Sequence, residues 1–259
     1  MHRRVSDLVA RLRAAGCVFA EDEARILLAE QYDAAALERA VARRVDGEPL
    51  EHIVGWVDFG SCRLAVGPGV FIPRQRSLFL ASQAISSLAA EPNEIFVEAY
   101  AGVAPIAATV SRAVPGVRVH AVERAEAATQ YAAVNLPNGQ VHVGDCLRPL
   151  PAYLRGRVAV IAAVPPYVPD DALDSMPAEA REHEPRETHR GGADGLDDVR
   201  RLVGEARDWL RPGGVVLVEL HRDQVPVAIS HASNLGYEAS APIGDDGQTA
   251  VLTAVAASL

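Results

Sequence analysis

Four short stretches carry side chains able to do chemistry together, and their spacing suits the ends of successive strands. The first is Glu98-Ala99-Tyr100-Ala101-Gly102-Val103-Ala104, an acid followed by a turn of small residues. Glu123 follows at roughly the 20-residue interval at which a second strand end supplies an acid in nucleotide-binding folds. Then come Gly144-Asp145-Cys146 and Val164-Pro165-Pro166-Tyr167. A small-residue turn lets the backbone approach a ligand closely. An acid at the second strand end can accept both hydroxyls of a ribose. An aspartate after the third strand can accept from the exocyclic amine of a purine. Each feature alone has a plainer explanation: a lone strand-end glutamate more often caps a helix or meets solvent, and Gly-Asp is an ordinary turn. Their ordered recurrence favours a nucleoside site.

Other chemistries find less support. Glu182-His183-Glu184 with His189 has ligand-type residues, but without a metal-ligand pattern a solvated loop is expected and no metal. His221, after an apolar run, is a weak candidate base. No GxSxG, phosphate-loop or HExxH pattern is present. The chain contains no lysine, which removes Schiff-base chemistry. Cys17, Cys62 and Cys146 are far apart with no CxxC pair, so three reduced, mostly buried thiols are expected. The net charge of −9 argues against direct nucleic-acid binding. With 49% hydrophobic and 23% charged residues the composition is that of a globular protein. No signal-type leader or membrane-length apolar run appears, so a cytoplasmic location and no membrane association are expected.

Positioning these residues requires an alternating sheet. Residues 5–45 show helical spacing, with helices expected to end at Gly16 and to cover 21–31 and 34–44; Ala24, Ile26, Leu27 and Leu28 face inward. Gly55–Phe59 and Arg63–Val66, joined by Gly60-Ser61, predict a hairpin. A helix is expected over 77–89. Strands then follow at 95–99, 117–122, 141–143, 158–163 and 215–220, with helices at 104–113, 125–134, 196–210 and 223–235. Residues 168–195 read as a polar loop, Pro212-Gly213-Gly214 as a turn. Short strands near 237–241 and 249–255 predict an antiparallel edge. Repeated βα units imply an α/β fold whose mostly parallel sheet is covered on both faces. Three parts are expected: a helical module (1–47), a hairpin linker (48–76) and the sheet domain (77–259).

The chain resembles the HemK-type protein-glutamine N5-methyltransferases. Pro49-Leu50-Glu51-His52-Ile53-Val54-Gly55 is similar to the family's hairpin entry, and Gly67-Pro68-Gly69-Val70-Phe71-Ile72-Pro73-Arg74 to its PGVLIPR segment. Glu184-Pro185-Arg186 and Gly191-Gly192-Ala193-Asp194-Gly195-Leu196-Asp197 are similar to its EP…GG.DGLD loop, and Arg211-Pro212-Gly213-Gly214 to the turn before its closing strand. The resemblance runs in order along nearly the whole chain. It implies a class I, Rossmann-like methyltransferase with a seven-stranded sheet and S-adenosyl-L-methionine as cofactor. Glu98, Tyr100, Gly102 and Ala104 fall on its cofactor motif I, Glu123 on the ribose acid, and Asp145 with Cys146 on the adenine side. Val164, Pro165, Pro166 and Tyr167 fall on its catalytic NPPY motif, and Phe71, Pro73 and Arg74 on the substrate side. A protein or peptide acceptor of release-factor type, or a small amide-bearing molecule, is the implied partner; the oligomeric state stays open.

The chain also departs from the pattern. Glu98 stands for an aspartate, Ala104 for a glycine and Ser77-Leu78 for Thr-Glu. Ala104 adds a methyl where close backbone approach is expected, which implies weaker or shifted cofactor binding. Val164 replaces the asparagine that holds the target amide, and valine has no acceptor. Two readings follow: a methyltransferase with a changed acceptor, or a degenerate or repurposed relative that binds a partner or uses the cofactor for other chemistry.

Overall fold

The computed structural model describes residues 2–88 and 93–257. Three amphipathic helices come first: α1 (His2–Ala14), α2 (Ala20–Ala29) and α3 (Ala34–Val45). Leu8, Leu12, Ala24, Leu27 and Val41 form their shared core, while Ile26 and Leu28 are only partly buried. Asp33 caps α3 by accepting from Ala36 N at 2.7 Å, as an N-cap acid should. The sequence suggested nothing helical at 49–55, yet α4 (Leu50–Val54) forms there. Pro49 precedes it, and Gly55 ends it at φ 83°, a left-handed stop that glycine adopts freely. Leu50 and Ile53 join the core of the first three helices.

The hairpin of β1 (Trp56–Phe59) and β2 (Cys62–Ala65) pairs antiparallel as expected. Its inward residues Val57, Phe59, Cys62 and Leu64 belong to the core of the main sheet. A 3-10 turn (Gln75–Ser77) leads into α5 (Leu78–Ser87); the expected end of that helix at 89 lies outside the described residues. The alternation that follows is β3 (Ile95–Ala99), α6 (Pro105–Ala113), β4 (Arg118–Glu123), α7 (Glu126–Asn135), β5 (Gln140–Val143) and β6 (Val158–Ala163). After α8 (Ala178–His183) come α9 (Asp197–Ala206), β7 (Leu210–His221), α10 (Val225–Asn234), β8 (Glu238–Ser240) and β9 (Thr249–Val255). The seven strands lie in the order β5-β4-β3-β6-β7-β9-β8, with β9 antiparallel to both neighbours. This is the Rossmann-like α/β sheet with an antiparallel edge. β3 and β6 are buried along their whole length, the mark of central parallel strands covered on both faces. The 70–88 segment, α6 and the hairpin fill one face, α9 and α10 the other.

Three expectations need correcting. The helix placed at 196–210 stops at Ala206, because β7 already starts at Leu210. Pro212-Gly213-Gly214 lies within that strand at an irregularity of the β6–β7 register, not in a separate turn. A Cβ on Gly214 would lie 2.9 Å from Val158 O, so the close approach of the two backbones there requires glycine. The polar 168–195 segment is not a solvated loop. It carries α8 and two 3-10 turns and buries Glu184 and His189. No helix among the described residues is long and apolar enough to cross a membrane.

Candidate active site

The sheet order reverses between β3 and β6, and crevices at such switch points, beyond the carboxyl ends of the strands, are where open α/β sheets bind ligands. A cavity of about 550 Å³ opens there. It is lined by Tyr100, Gly102, Glu123 and Asp145 on one side and by Phe71, Pro73, Val164 and Tyr167 on the other. All four expected stretches and the 70–74 segment therefore meet in one space. Cavities of this size suit small ligands.

The turn after β3 follows from its backbone. Tyr100 (φ 51°), Gly102 (φ 53°) and Ala104 (φ 62°) are all left-handed. A Cβ on Gly102 would meet nothing within 4 Å, so the wall there is open space as well as backbone. Ala104 caps α6, and its methyl is buried among the core side chains of that face; it is not part of the cavity wall. The alanine's cost is therefore conformational, roughly 1–2 kcal/mol for an L-residue held left-handed, and not a methyl set against a ligand. Glu98 reaches the cavity wall, but its carboxyl faces the start of α6, accepting from Ile106 N (3.3 Å) and Ala107 N (2.6 Å). Burial pushes its pKa up to about 8, against the pull of those two N–H groups.

Glu123, at the end of β4, ties the rim together. Its Oε2 accepts from Gly102 N and its Oε1 from Ala125 N, both at 2.8 Å. Each oxygen keeps a second lone pair for a ligand. Asp145 forms an ion pair with Arg201 at 2.8 Å, which holds its carboxyl below the usual range. Cys146 is left-handed at φ 55° and buried, and desolvation pushes its thiol up to about 12, so it is no nucleophile. The Tyr100 hydroxyl donates to Asp198 at 3.0 Å, which fixes the ring at the mouth.

Val164 is half-buried at the end of β6 and packs onto the core, and its side chain offers no acceptor. Pro165 and Pro166 are buried beside it. Tyr167 is held at both ends. Its carbonyl accepts from Gln224 Nε2 at 2.9 Å, and its hydroxyl accepts from Arg76 Nη2 at 3.0 Å and donates to Glu219 Oε1 at 3.2 Å.

Opposite runs the strap 70–76. Arg74, expected on the substrate side, lines the cavity beside Phe71 and Pro73, with its guanidinium paired to Glu184. Its Nη2 donates to both oxygens of Glu184 at 2.7 Å. Glu184 Oε1 also accepts from Ile72 N at 3.2 Å, and His189 Nε2 lies 3.0 Å from Oε2. Arg74 also lies over the Phe71 ring, 4.9 Å from its centre. Glu184 and His189 are thus a buried anchor for the strap, while Glu182 stays exposed as a solvated loop residue would. Glu184 was legible as an acid flanked by proline; its burial was not. His221 lies outside the cavity wall and caps a 3-10 turn through Asp223 N. No metal-binding cluster occurs among the described residues. Sequence reasoning also missed Arg76, Glu219, Gln224, Asp198 and Arg201. Of these only Glu219 left a signal, an acid inside the apolar run Val215–Leu220.

No protein-family model matches the chain. Among curated proteins it is similar to the release factor glutamine methyltransferase of Streptomyces coelicolor, 40% identical over 196 residues, covering 72% of this chain and 68% of that protein. The release factor glutamine methyltransferase of Mycolicibacterium smegmatis is 35% identical over 204 residues, covering 76% and 72%. Among solved structures, a methyltransferase from Pyrococcus furiosus aligns with a TM-score of 0.55 at 18% identity, covering 75% of this chain and 88% of that one. A ribosomal protein L11 methylase from Lactobacillus delbrueckii subsp. bulgaricus aligns at 0.52 with 12% identity, over 74% and 84%. At such identities the structures speak for the fold alone, which this chain shares with these two proteins. The identity and coverage of the Streptomyces and Mycolicibacterium proteins carry the assignment further: the chain belongs to the release factor glutamine methyltransferase, or HemK, family.

Proposed function

We propose that this chain binds S-adenosylmethionine across the 98–104 turn, Glu123 and Asp145, and transfers its methyl group to an acceptor entering past Val164–Tyr167. The observation that carries the reading is the Gly102 N to Glu123 hydrogen bond at 2.8 Å, which joins the turn to the strand-end acid on one wall of the cavity. The residues fit the cofactor: the space beyond Gly102 is open, and each oxygen of Glu123, on the cavity wall, accepts one hydrogen bond from the protein and has capacity for another. In this assignment Gly102 lets the backbone approach the amino-acid tail and ribose, Glu123 accepts from ribose hydroxyls, and Asp145 with Cys146 borders the adenine. Glu98 and Ala104 act through α6 by shaping the turn. When bound, the cofactor supplies an electrophilic sulfonium methyl, so orienting the acceptor can suffice without a strong base. Pro165, Pro166, Tyr167, Phe71 and Pro73 shape that acceptor's path, and Arg74 holds the strap against Glu184.

Val164 argues that the acceptor is not the glutamine amide of the family's release-factor substrate. A carboxamide brings two N–H groups, and leaving a buried donor unpaired costs about 1–3 kcal/mol. That observation also supports the second reading, a relative that binds the cofactor without methylating glutamine. The helical module 1–47, the hairpin linker 48–76 and the sheet domain 77–259 remain the proposed division, in a cytoplasmic protein that does not contact nucleic acid directly. Calorimetric titration of S-adenosylmethionine and S-adenosylhomocysteine tests the cofactor assignment. Micromolar binding is expected, and no binding up to millimolar concentration overturns it. Methyl transfer to a bacterial release factor, measured for the wild type and Val164→Asn, then separates the two readings of the acceptor.

A further inference from the structure

Behind the acceptor wall, and outside it, lies a carboxylate that the sheet does not explain. Glu219 sits near the carboxyl end of β7 with 0% of its surface exposed. Placing a charge there costs several kcal/mol unless it is fully paired. Its pairing is incomplete. Oε1 accepts from the Tyr167 hydroxyl at 3.2 Å and stands 3.5 Å from Arg76 Nε, while Oε2 is buried with no hydrogen-bond partner. A group serving stability alone would be better replaced by an apolar side chain of similar volume. Arg76 from the strap and Glu219 from near the carboxyl end of β7 converge on one oxygen, the hydroxyl of Tyr167 in the segment after β6.

We propose that Glu219 and Arg76 are a positioning pair that fixes the Tyr167 ring in the acceptor wall by holding its hydroxyl from both sides. The hydroxyl's single hydrogen goes to Glu219, and one lone pair receives the Arg76 donor. Tyr167 therefore has no hydrogen left to give an acceptor substrate and meets it with its ring. Gln224 fixes the carbonyl end of the same residue. The inference rests on the cavity being the methyl-transfer site.

The test places 3-fluorotyrosine at position 167 and follows its ¹⁹F resonance in the full chain. In the wild type a held ring keeps its fluorine in one environment, or in two that exchange slowly. Glu219→Gln keeps the size and an acceptor oxygen but removes the charge. Arg76→Met removes the guanidinium from an exposed position, and that variant is expected to fold even if the Glu219 variant does not. Each is expected to broaden or average the signal. They should move the ring's ionisation in opposite directions, by about one pH unit, downward for Glu219→Gln and upward for Arg76→Met. Affinity for S-adenosylhomocysteine, the probe ligand, should stay within twofold in both. An unchanged ¹⁹F signal, shifts of the same sign, or a tenfold loss of S-adenosylhomocysteine affinity in either variant overturns the pair. Failure of the wild type to bind S-adenosylhomocysteine instead removes the methyl-transfer reading and leaves the ¹⁹F result standing on its own.

Discussion

Removing the Glu184 carboxylate should release the strap 70–76 from the body of the protein. The Glu184 side chain is 1% exposed and gathers Arg74, Ile72 N and His189, whereas Arg74 is 31% exposed. Breaking a buried ion pair by deleting one partner typically costs about 3–5 kcal/mol. Arg74 can recover part of its hydration through its exposed third, which lowers the expected loss for Glu184→Ala to about 2–4 kcal/mol. For a chain of this size that corresponds to a fall in Tm of roughly 4–16 °C. Chemical denaturation with linear extrapolation, beside a calorimetric melt, measures it. A double-mutant cycle with Arg74→Met isolates the pair, and a coupling of at least about 0.5 kcal/mol is expected for residues in contact. A loss below about 1 kcal/mol with no coupling would refute the anchor and return Glu184 to the solvated loop that the sequence suggested.

Four other outcomes are expected. Ala104→Gly relieves left-handed strain of roughly 1–2 kcal/mol but gives up a buried methyl and adds chain entropy of similar total size. Stability should therefore change by less than about 1 kcal/mol, and S-adenosylhomocysteine affinity by less than twofold; a tenfold gain in calorimetry would place the methyl against the ligand after all. Glu123→Ala removes the acceptor for Gly102 N and for the proposed ribose contact, and should weaken S-adenosylhomocysteine binding at least tenfold, about 1.4 kcal/mol. Val164→Asn should raise methyl transfer to a release-factor glutamine at least tenfold, scored as SAH release and a mass gain of one methyl; no change would leave Val164 neutral to acceptor choice.

The fourth concerns pH. His120 is 1% exposed, stacks on His142 with nitrogens 3.0 Å apart, and burial lowers its pKa to about 4. A depressed folded-state value means that the unfolded chain binds the proton more readily. The stability is complete above the unfolded value of about 6.5 and drains away as pH falls from there to 4, by about 3 kcal/mol at most. Glu98 acts in the opposite sense, since its raised pKa, about 8, costs stability as pH climbs from its ordinary value. Denaturation curves of the wild type and His120→Asn between pH 4 and 7 should therefore converge on acidification; parallel curves would show that His120 is not desolvated.

Much of this protein was determined locally, and the sequence showed it. β6 and, apart from Glu98, β3 were legible because a strand buried on both faces reads as a near-continuous apolar run. The hairpin was legible from Gly60-Ser61 between two short β-like runs, and the rim from small residues and acids at successive strand ends. The family, too, was visible in ordered motifs before any coordinates. What remained hidden depends on partners distant in sequence. Arg74 and Glu184 are 110 residues apart, and Arg76 and Tyr167 are 91 apart. No local pattern says whether a charged loop residue is solvated or paired. Glu184 is buried where the strap brings Arg74 to it, and Arg74, though on the cavity wall, has its guanidinium tied up in that pair. Likewise the sequence shows only that alanine stands at 104 where the family has glycine, and the packing of α6 decides that its methyl joins the core and not the cavity wall. Local chemistry set which residues could act; long-range packing set which of them are free to.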